Sequence, residues 1–322
     1  MFNYKKFTIY ILGALTIFLS AYSYVVLNHK MLYMNREYPM WIDVKNKMNN
    51  RISINKHNLI LIGDSRAKAG FIPNKFDTKG INSVNLALGG STPIEGYYTF
   101  KNYLSNNKIP KYLLMSYAPF HIYQQDWYWR RTIGWGFLED NDHDDIYNMS
   151  LILNDKLTLG EDEYLYYKNN TGRHLIEFFK GVLGQRWKVN GNTLKYIESS
   201  KGHHYFGKRL GAKGLNQEAR LASFKASKLI NYYLEKTIEL ATKNNIKVFW
   251  YSMPFNESSF NATPALFKKE YNQYITNLVD KHEVTALNAL FYLDNAKFSD
   301  PSHLYMGINE VTEDIKIKFH SK

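Results

Sequence analysis

Three polar residues in this chain could together make an activated serine nucleophile. Ser65 ends a Gly-Asp-Ser turn that follows the apolar residues 59–62, and Asp300 precedes His303 by three positions. An imidazole can take the proton of a serine hydroxyl near neutral pH, and a carboxylate fixes the tautomer of that imidazole. Each motif also has an ordinary interpretation, because Gly-Asp turns link strands to helices and Asp-Pro-Ser turns often precede an incidental histidine.

A glycine pair could supply a further part of the same chemistry. Gly89 and Gly90 follow the apolar residues 84–88, and glycine lets a backbone N–H approach a ligand closely. Such an amide and the amide of Ser65 could bind the negative charge that develops on a carbonyl oxygen during acyl transfer. The alternative is a turn that only ends the preceding strand.

Apolar runs that alternate with helical patterns predict the elements that hold these residues. We predict strands at residues 59–62, 84–88, 112–116, 246–251 and 284–287. Helices are predicted at residues 95–104, 174–183 and 264–281, with a long helix between 216 and 243 that has Leu221 and Phe224 on its apolar face. Strands separated by helices indicate an α/β fold, a doubly wound three-layer parallel sheet. Residues that follow its strands then share one edge.

The N-terminus predicts a membrane anchor. Residues 7–27 contain no charged side chain, and at about 1.5 Å per residue they span roughly 30 Å, the thickness of a bilayer core. Lys5 and Lys6 favour a cytoplasmic N-terminus with the rest of the chain outside. A cleaved signal peptide is the alternative, but its apolar core is usually shorter and ends in small residues. We therefore expect an anchor at 1–30 and a juxtamembrane connector at 31–57.

The remaining residues, 58–322, are expected to form one domain with an insertion at about 120–214, where the alternation of strands and helices stops. Four residues in this insertion could bind substrate, because aromatic faces stack on sugars and arginines hold carboxylates or phosphates: Trp127, Trp129, Arg130 and Arg131. Arg66, next to Ser65, is a fifth candidate. The alternatives are an aromatic core for the insertion, which we place first, and a belt on the membrane surface.

Composition excludes several kinds of site. The chain has no cysteine, so disulfides, thiolate metal sites and cysteine nucleophiles are absent. Its net charge of +12 favours anionic partners, but the basic residues are scattered and no nucleic-acid motif is present. The histidines and aspartates of the insertion lack the spacing of metal ligands. We therefore expect no metal, no cofactor and no nucleic-acid partner.

Together the three motifs resemble those of the SGNH (GDSL-like) hydrolase superfamily, over roughly residues 58–120 and 240–310. The resemblance implies a flavodoxin-like sheet with Ser65 as nucleophile, His303 as base and Asp300 as its orienting partner. It also implies that the amides of Ser65 and Gly90 form the oxyanion hole, with Gly89 as the alternative to Gly90.

One block departs from that pattern. The superfamily usually has a Gly-x-Asn-Asp block after the third strand, and here residues 116–119 read Ser-Tyr-Ala-Pro. The asparagine, a further oxyanion donor, is missing, and Ser116, Tyr117 and His121 are the candidates to replace it. In this departure and in its anchor, the chain resembles membrane-anchored members of the superfamily that act with multi-span O-acyltransferases.

That branch implies a membrane-anchored extracytoplasmic acyltransferase or esterase. Its substrates would be the acetyl or D-alanyl groups of a cell-surface polysaccharide or teichoic acid, and its partner a multi-span membrane O-acyltransferase. The competing hypothesis is a non-catalytic glycan-binding scaffold for such an acyltransferase.

Overall fold

Five parallel strands form the central sheet in the computed structural model of the protein, which describes residues 4–49, 57–124, 128–155 and 161–322. The strands of the molecule are β1 (Leu59–Gly63), β2 (Ser83–Asn85), β3 (Tyr112–Ser116), β4 (Lys247–Trp250), β5 (Phe255–Asn256), β6 (Val284–Ala286) and β7 (Tyr292–Leu293). The central sheet has the order β2-β1-β3-β4-β6, and β5 pairs separately with β7. The predicted α/β class with a parallel sheet is confirmed.

Helices account for most of the remaining described chain. They are α1 (Tyr4–Asn28), α2 (Tyr38–Asn49), α3 (Ser65–Gly70), α4 (Pro73–Phe76), α5 (Pro93–Asn106), α6 (Pro119–Tyr123), α7 (Asp140–Ile152), α8 (Glu161–Asn169), α9 (Leu175–Leu183), α10 (Arg186–Ser199), α11 (Lys228–Lys243), α12 (Glu257–Ala262), α13 (Ala265–Lys281) and α14 (Ile308–His320). Short 3-10 turns lie at Lys30–Leu32, Thr171–His174, Glu218–Arg220 and Asn295–Lys297, and a π-helix at Tyr128–Ile133.

Both faces of the sheet are covered, which explains the unbroken apolar run of β1. Side chains alternate between the two faces of a strand, so Ile60 and Ile62 enter one core while Leu59 and Leu61 enter the other. Helices α2, α5, α11 and α13 contribute to the first core. Helices α3, α4 and α14 contribute to the second core. A strand that is buried on both faces reads as continuously hydrophobic.

Two predicted boundaries were wrong. The second strand ends at Asn85 rather than at residue 88, although the amides of Leu86 and Leu88 still donate to the β1 carbonyls of Leu61 and Gly63. The long helix begins only at Lys228, where Ser227 caps it. Phe224 precedes it and is buried instead by packing edge-on against the rings of three α13 residues, namely Phe267, Tyr271 and Tyr274.

The segment that was expected to be a connector is partly built into the core. Helix α2 buries Met40, Trp41 and Val44 against the rest of the domain. Residues 50–56 lie outside the described chain. The described residues of the insertion at about 120–214 are mainly helical as far as Ser199, whereas residues 200–214 form turns and bends. Its helix α9 lies within the predicted range of 174–183.

Helix α1, with 25 residues, is long and apolar enough to cross a membrane. Only Tyr22 and Val26 of this helix are buried. Its side chains are therefore mostly exposed, which distinguishes it from the buried core helix of a soluble protein.

Candidate active site

The position of Ser65 is set by the two residues before it. Asp64 caps α3, and its carboxylate accepts hydrogen bonds from the amides of Arg66 and Ala67. The amide of Ser65, at the first helical position, is left without an intrahelical partner. Gly63 has no side chain to obstruct this turn, since a Cβ there would overlap the carbonyl oxygen of Ser116 on β3. Glycine is therefore required where β1 passes close to β3 just before Ser65.

The Asp64 carboxylate also binds a histidine. Its Oδ2 lies 2.8 Å from Nδ1 of His121 on α6 and accepts the amide of Ala118 at 2.6 Å. Burial alone would raise the pKa of Asp64, but the hydrogen bond and charge of His121 and the charge of Arg66 hold it below its usual value. Asp64 is therefore a buried carboxylate that fixes the His121 ring.

Asp300 and His303 form the predicted pair within one loop. Nδ1 of His303 lies 2.8 Å from Oδ2 of Asp300. The other oxygen of this carboxylate, Oδ1, accepts hydrogen bonds from the amides of Ser302 and His303. Burial would raise the pKa of Asp300, yet the hydrogen bond from the His303 ring lowers it below its usual value. Phe206 stacks on the imidazole at 4.3 Å between ring centroids. The ring is thus held by a carboxylate at one edge and by an aromatic face.

The Gly89-Gly90 turn is held from two sides. The Gly89 amide donates to Sδ of Met40 at 3.2 Å, and the Gly89 carbonyl accepts from Nη1 of Arg131 at 2.8 Å. Gly90 has φ +73°, which glycine adopts without strain. Its amide makes no hydrogen bond within the described residues. Gly90 is consequently better placed than Gly89 to donate to a ligand.

These groups surround one cavity of about 250 Å³ at the carboxyl edge of the sheet. Ser65, which is 9% exposed, lines this cavity with Gly90, His121 and His303. The rest of the wall consists of Glu37, Arg66, Gly89, Ala118, Phe120, Arg131, Phe206, Gln217 and Ser302. Nε2 of His303 is buried and has no partner among the described residues, so no hydrogen bond joins it to the Ser65 hydroxyl. Catalytic hydrogen bonds commonly shorten to full strength only when substrate binds.

Arg66 lines the cavity as an internally paired cation. Its Nη2 donates to Oε2 of Glu218 at 2.7 Å, and its guanidinium lies over the ring of Phe255 at 5.0 Å. Glu218 is fully buried and also accepts the amide of Phe120. Arg66 therefore ties α3 to the segment before α11 as well as facing the cavity.

The candidates from the insertion are separated by the fold. Arg131 reaches the cavity, where it pairs with Glu37 and supports the glycine turn. Arg130 lines a different cavity of about 400 Å³, which Arg131 also lines. Trp129 packs edge-on against Tyr128 and His143, at 5.1 and 5.4 Å, as part of an aromatic core within the insertion. Trp127 lies outside the described residues.

Of the three candidates for the missing oxyanion donor, only His121 lines the cavity. The hydroxyls of Ser116 and Tyr117 are buried without partners in the described part of the chain. A Cβ at Gly96 would overlap the Tyr117 hydroxyl, so this ring points into the packing of α5. His121 donates from Nδ1 to Asp64, so its Nε2 is an acceptor in the neutral ring and donates to an oxyanion only in the protonated ring.

Sequence reasoning missed Glu37, Phe206 and Glu218. All three lie in segments that it treated as connector, insertion or helix, and no local motif marks them. Within residues 4–49, 57–124, 128–155 and 161–322, no group of three or more His, Asp or Glu side chains is arranged to hold a metal ion.

The known protein families contain no match to this chain, and neither do the curated protein sequences.

Proposed function

We propose that the protein is a membrane-anchored serine acyltransferase or esterase of the cell envelope, with Ser65 as nucleophile. The observation that carries this proposal is the meeting of Ser65, the Asp300–His303 pair and the Gly90 amide at one cavity. A nucleophile, an oriented base and backbone donors are the parts that acyl transfer requires. Ser65 and Gly90 lie more than 200 residues before Asp300 and His303, so local turn geometry does not explain their convergence.

The proposed reaction has two halves. Ser65 Oγ attacks the acyl carbonyl carbon while Nε2 of His303 takes the hydroxyl proton, and the amides of Ser65 and Gly90 bind the oxyanion. The intermediate collapses, the bond to the leaving oxygen breaks, and His303 returns the proton to that oxygen. An acceptor hydroxyl then gives its proton to His303 and attacks the acyl-Ser65 ester. When this second intermediate collapses, the bond between the acyl carbon and Ser65 Oγ breaks and His303 returns the proton to Oγ. Water in place of the acceptor would give hydrolysis.

The cavity favours a short acyl group. Its volume of about 250 Å³ is below the roughly 300–1,000 Å³ of sites that enclose drug-sized ligands. An acetyl or D-alanyl group fits such a volume, whereas a long fatty acyl chain does not. The acceptor would be a hydroxyl of a cell-surface polysaccharide or teichoic acid, bound at the mouth of the cavity.

The sheet order supports the superfamily assignment that we propose. Counted along the chain, the five strands of the central sheet have the order 2-1-3-4-5 of flavodoxin-like sheets. In this proposal the protein is an SGNH-like member with α1 as a single span, a cytoplasmic N-terminus and an extracytoplasmic domain. A multi-span O-acyltransferase would supply its acyl groups.

Labelling with a fluorophosphonate probe tests the nucleophile. The purified full-length protein should be labelled, and Ser65→Ala should lose the label. Ser302→Ala is the matched control, because Ser302 lines the same cavity and its variant should still be labelled. Equal labelling of Ser65→Ala and the wild type, or no labelling of any form, would refute the proposal.

A second function is favoured by one observation. Ser65 and His303 are not hydrogen-bonded, as expected if the domain binds a glycan without catalysis and recruits an acyltransferase. A scaffold of this kind would leave the surface polymer normally acylated in cells that carry Ser65→Ala. Loss of polymer acylation in that strain, with normal amounts of the protein, favours the enzyme.

A further inference from the structure

Helix α9 has an apolar face that none of the described residues of the protein covers. Its outward residues are exposed although they are large and hydrophobic, with Ile176 at 67% and Leu183 at 81%. Leu175, Phe179 and Val182 extend the same surface, and Trp187 continues it at the start of α10. Monomeric soluble proteins rarely expose contiguous apolar patches of this kind, which usually mark an interaction surface.

The opposite face of α9 is fixed to the end of α1. Phe178 packs edge-on against Tyr22 of α1 at 5.2 Å between ring centroids. A Cβ at Gly181 would lie 2.5 Å from Cα of Tyr33, so the helix backbone rests on the segment that follows α1. The Tyr22 hydroxyl donates to the carbonyl of Thr171 at 2.7 Å, just before α9. Helix α9 therefore has a defined place beside the C-terminal turns of α1.

Exposed apolar residues of α1 lie one helical turn from the contact between α1 and α9. Phe18 and Leu19 are about half exposed, and Phe18 stacks on Tyr22, which in turn contacts Phe178. Only the last turns of α1 enter the folded domain, since its buried residues are Tyr22 and Val26. The end of the apolar span and α9 thus lie at the same level.

We propose that α9 lies in the headgroup layer of the membrane, with its apolar face in the outer edge of the hydrocarbon. The proposal rests on the anchoring by α1 proposed above. Nine residues span only about 14 Å as a helix, so α9 is too short to cross a bilayer and would lie along its surface. Trp187 is the aromatic type enriched at membrane interfaces, and Lys180 and Lys188 can reach anionic headgroups.

The position of α9 would fix the orientation of the domain above the membrane. A single span joined to a domain leaves that domain free to rotate and tilt. A second contact with the membrane, along α9, removes this freedom and sets the distance of the insertion from the membrane surface. The cavity lined by Arg130 and Arg131 also has His174 and Glu177 in its wall, so it lies next to this surface.

The chain has no cysteine, so single introduced thiols can test this in the full-length protein. We would label Leu183→Cys with a fluorophore, in vesicles of phosphatidylcholine and phosphatidylglycerol. Leu266→Cys on α13 is the matched control, an exposed leucine at 54%. Gly13→Cys reports the span itself, and its side chain would meet nothing within 4 Å.

Doxyl-labelled lipid should quench the Leu183 and Gly13 labels, and aqueous iodide should quench only the Leu266 label. In one contrary outcome, iodide quenches the Leu183 label as strongly as the Leu266 label, while doxyl lipid still quenches the Gly13 label. This result would overturn the inference and leave the anchoring intact. A Leu183 label that neither quencher reaches would overturn it too and indicate a protein partner on α9. A Gly13 label that lipid does not quench would refute both the anchoring and the inference.

Discussion

Nδ1 of His121 lies 2.8 Å from Oδ2 of Asp64, the residue that directly precedes the candidate nucleophile. The cavity is consequently lined by two histidines, His121 and His303, each paired through Nδ1 with an aspartate. In the pair of Asp300 and His303 both residues belong to one loop, whereas Asp64 and His121 follow different strands, β1 and β3. His121 lies on α6, two residues after the Ser-Tyr-Ala-Pro block of residues 116–119.

The first prediction separates the two roles of His121. In His121→Asn, the side-chain amide can keep the hydrogen bond to Asp64 that Nδ1 makes, but nothing replaces Nε2 in the cavity. We expect nearly unchanged thermal stability and a loss of kcat for p-nitrophenyl acetate hydrolysis of about 10²–10³-fold, as for removal of an oxyanion donor. Full activity of this variant would show that His121 only holds Asp64.

His121→Ala serves as the comparison, because it also removes the partner of a buried carboxylate. We expect it to lose both activity and stability, by about 1–3 kcal/mol in the free energy of unfolding. Urea unfolding in detergent measures this difference. Equal stability of the Ala and Asn variants would contradict the assignment of the hydrogen bond.

The second prediction concerns the base. Asp300→Asn should keep the loop but stabilise the wrong tautomer of His303, and reduce kcat on the order of 10⁴-fold. Asp294→Asn is the control, since Asp294 also caps a short turn, through the amide of Ala296. Its activity should be that of the wild type. A fully active Asp300→Asn would exclude His303 as a base oriented by Asp300.

The third prediction compares two neighbouring arginines. Arg131→Lys should raise KM and lower kcat together, because an ammonium cannot keep the position of Nη1, which contacts both Glu37 and the Gly89 carbonyl, together with the packing of the guanidinium over the Trp135 ring. Arg130→Lys should hydrolyse p-nitrophenyl acetate normally, since Arg130 does not line the cavity of Ser65. Equal effects of the two substitutions would mean that Arg131 has no special part in supporting the glycine turn.

The fourth prediction tests the close approach of β1 to β3. Gly63→Ala would force a methyl group into the Ser116 carbonyl, and we expect a loss of more than about 4 kcal/mol in the free energy of unfolding. Gly80→Ala is the control, as a Cβ there meets nothing within 4 Å. A stable Gly63→Ala protein would show that β1 can move away from β3.

The fifth prediction concerns Lys68 on α3, which is fully buried. Burial lowers the pKa of Lys68 from its ordinary value of 10.5 to about 7. Between these values the unfolded chain binds one more proton than the folded protein, so the contribution of Lys68 to the free energy of unfolding rises with pH. Lys68→Met removes this dependence.

We therefore expect Lys68→Met to be more stable than the wild type at pH 7, by up to about 5 kcal/mol in the free energy of unfolding. The advantage should shrink as the pH rises toward 10.5. Urea unfolding across this range measures it, with the exposed Lys269→Met as control. An advantage that does not change with pH would mean that Lys68 is not buried as a neutral amine.

The sequence by itself determined the sheet and the local parts of the site. The strands β1 and β3 are recognisable because they are buried on both faces and therefore uniformly apolar. The pairing of Asp300 with His303 follows from their three-residue spacing in one loop. Gly63 and the glycine turn were recognisable because backbone conformation and close approach restrict those positions to glycine.

Tertiary structure alone decided which distant residues meet. The pairing of Asp64 with His121, of Arg66 with Glu218 and of Arg131 with Glu37 joins segments with no common pattern. The helix predicted from residue 216 begins only at Lys228 for the same reason, because Phe224 is buried by α13 rather than by its own helix. Periodicity records that a side chain is buried, but the partner that buries it depends on how the elements pack.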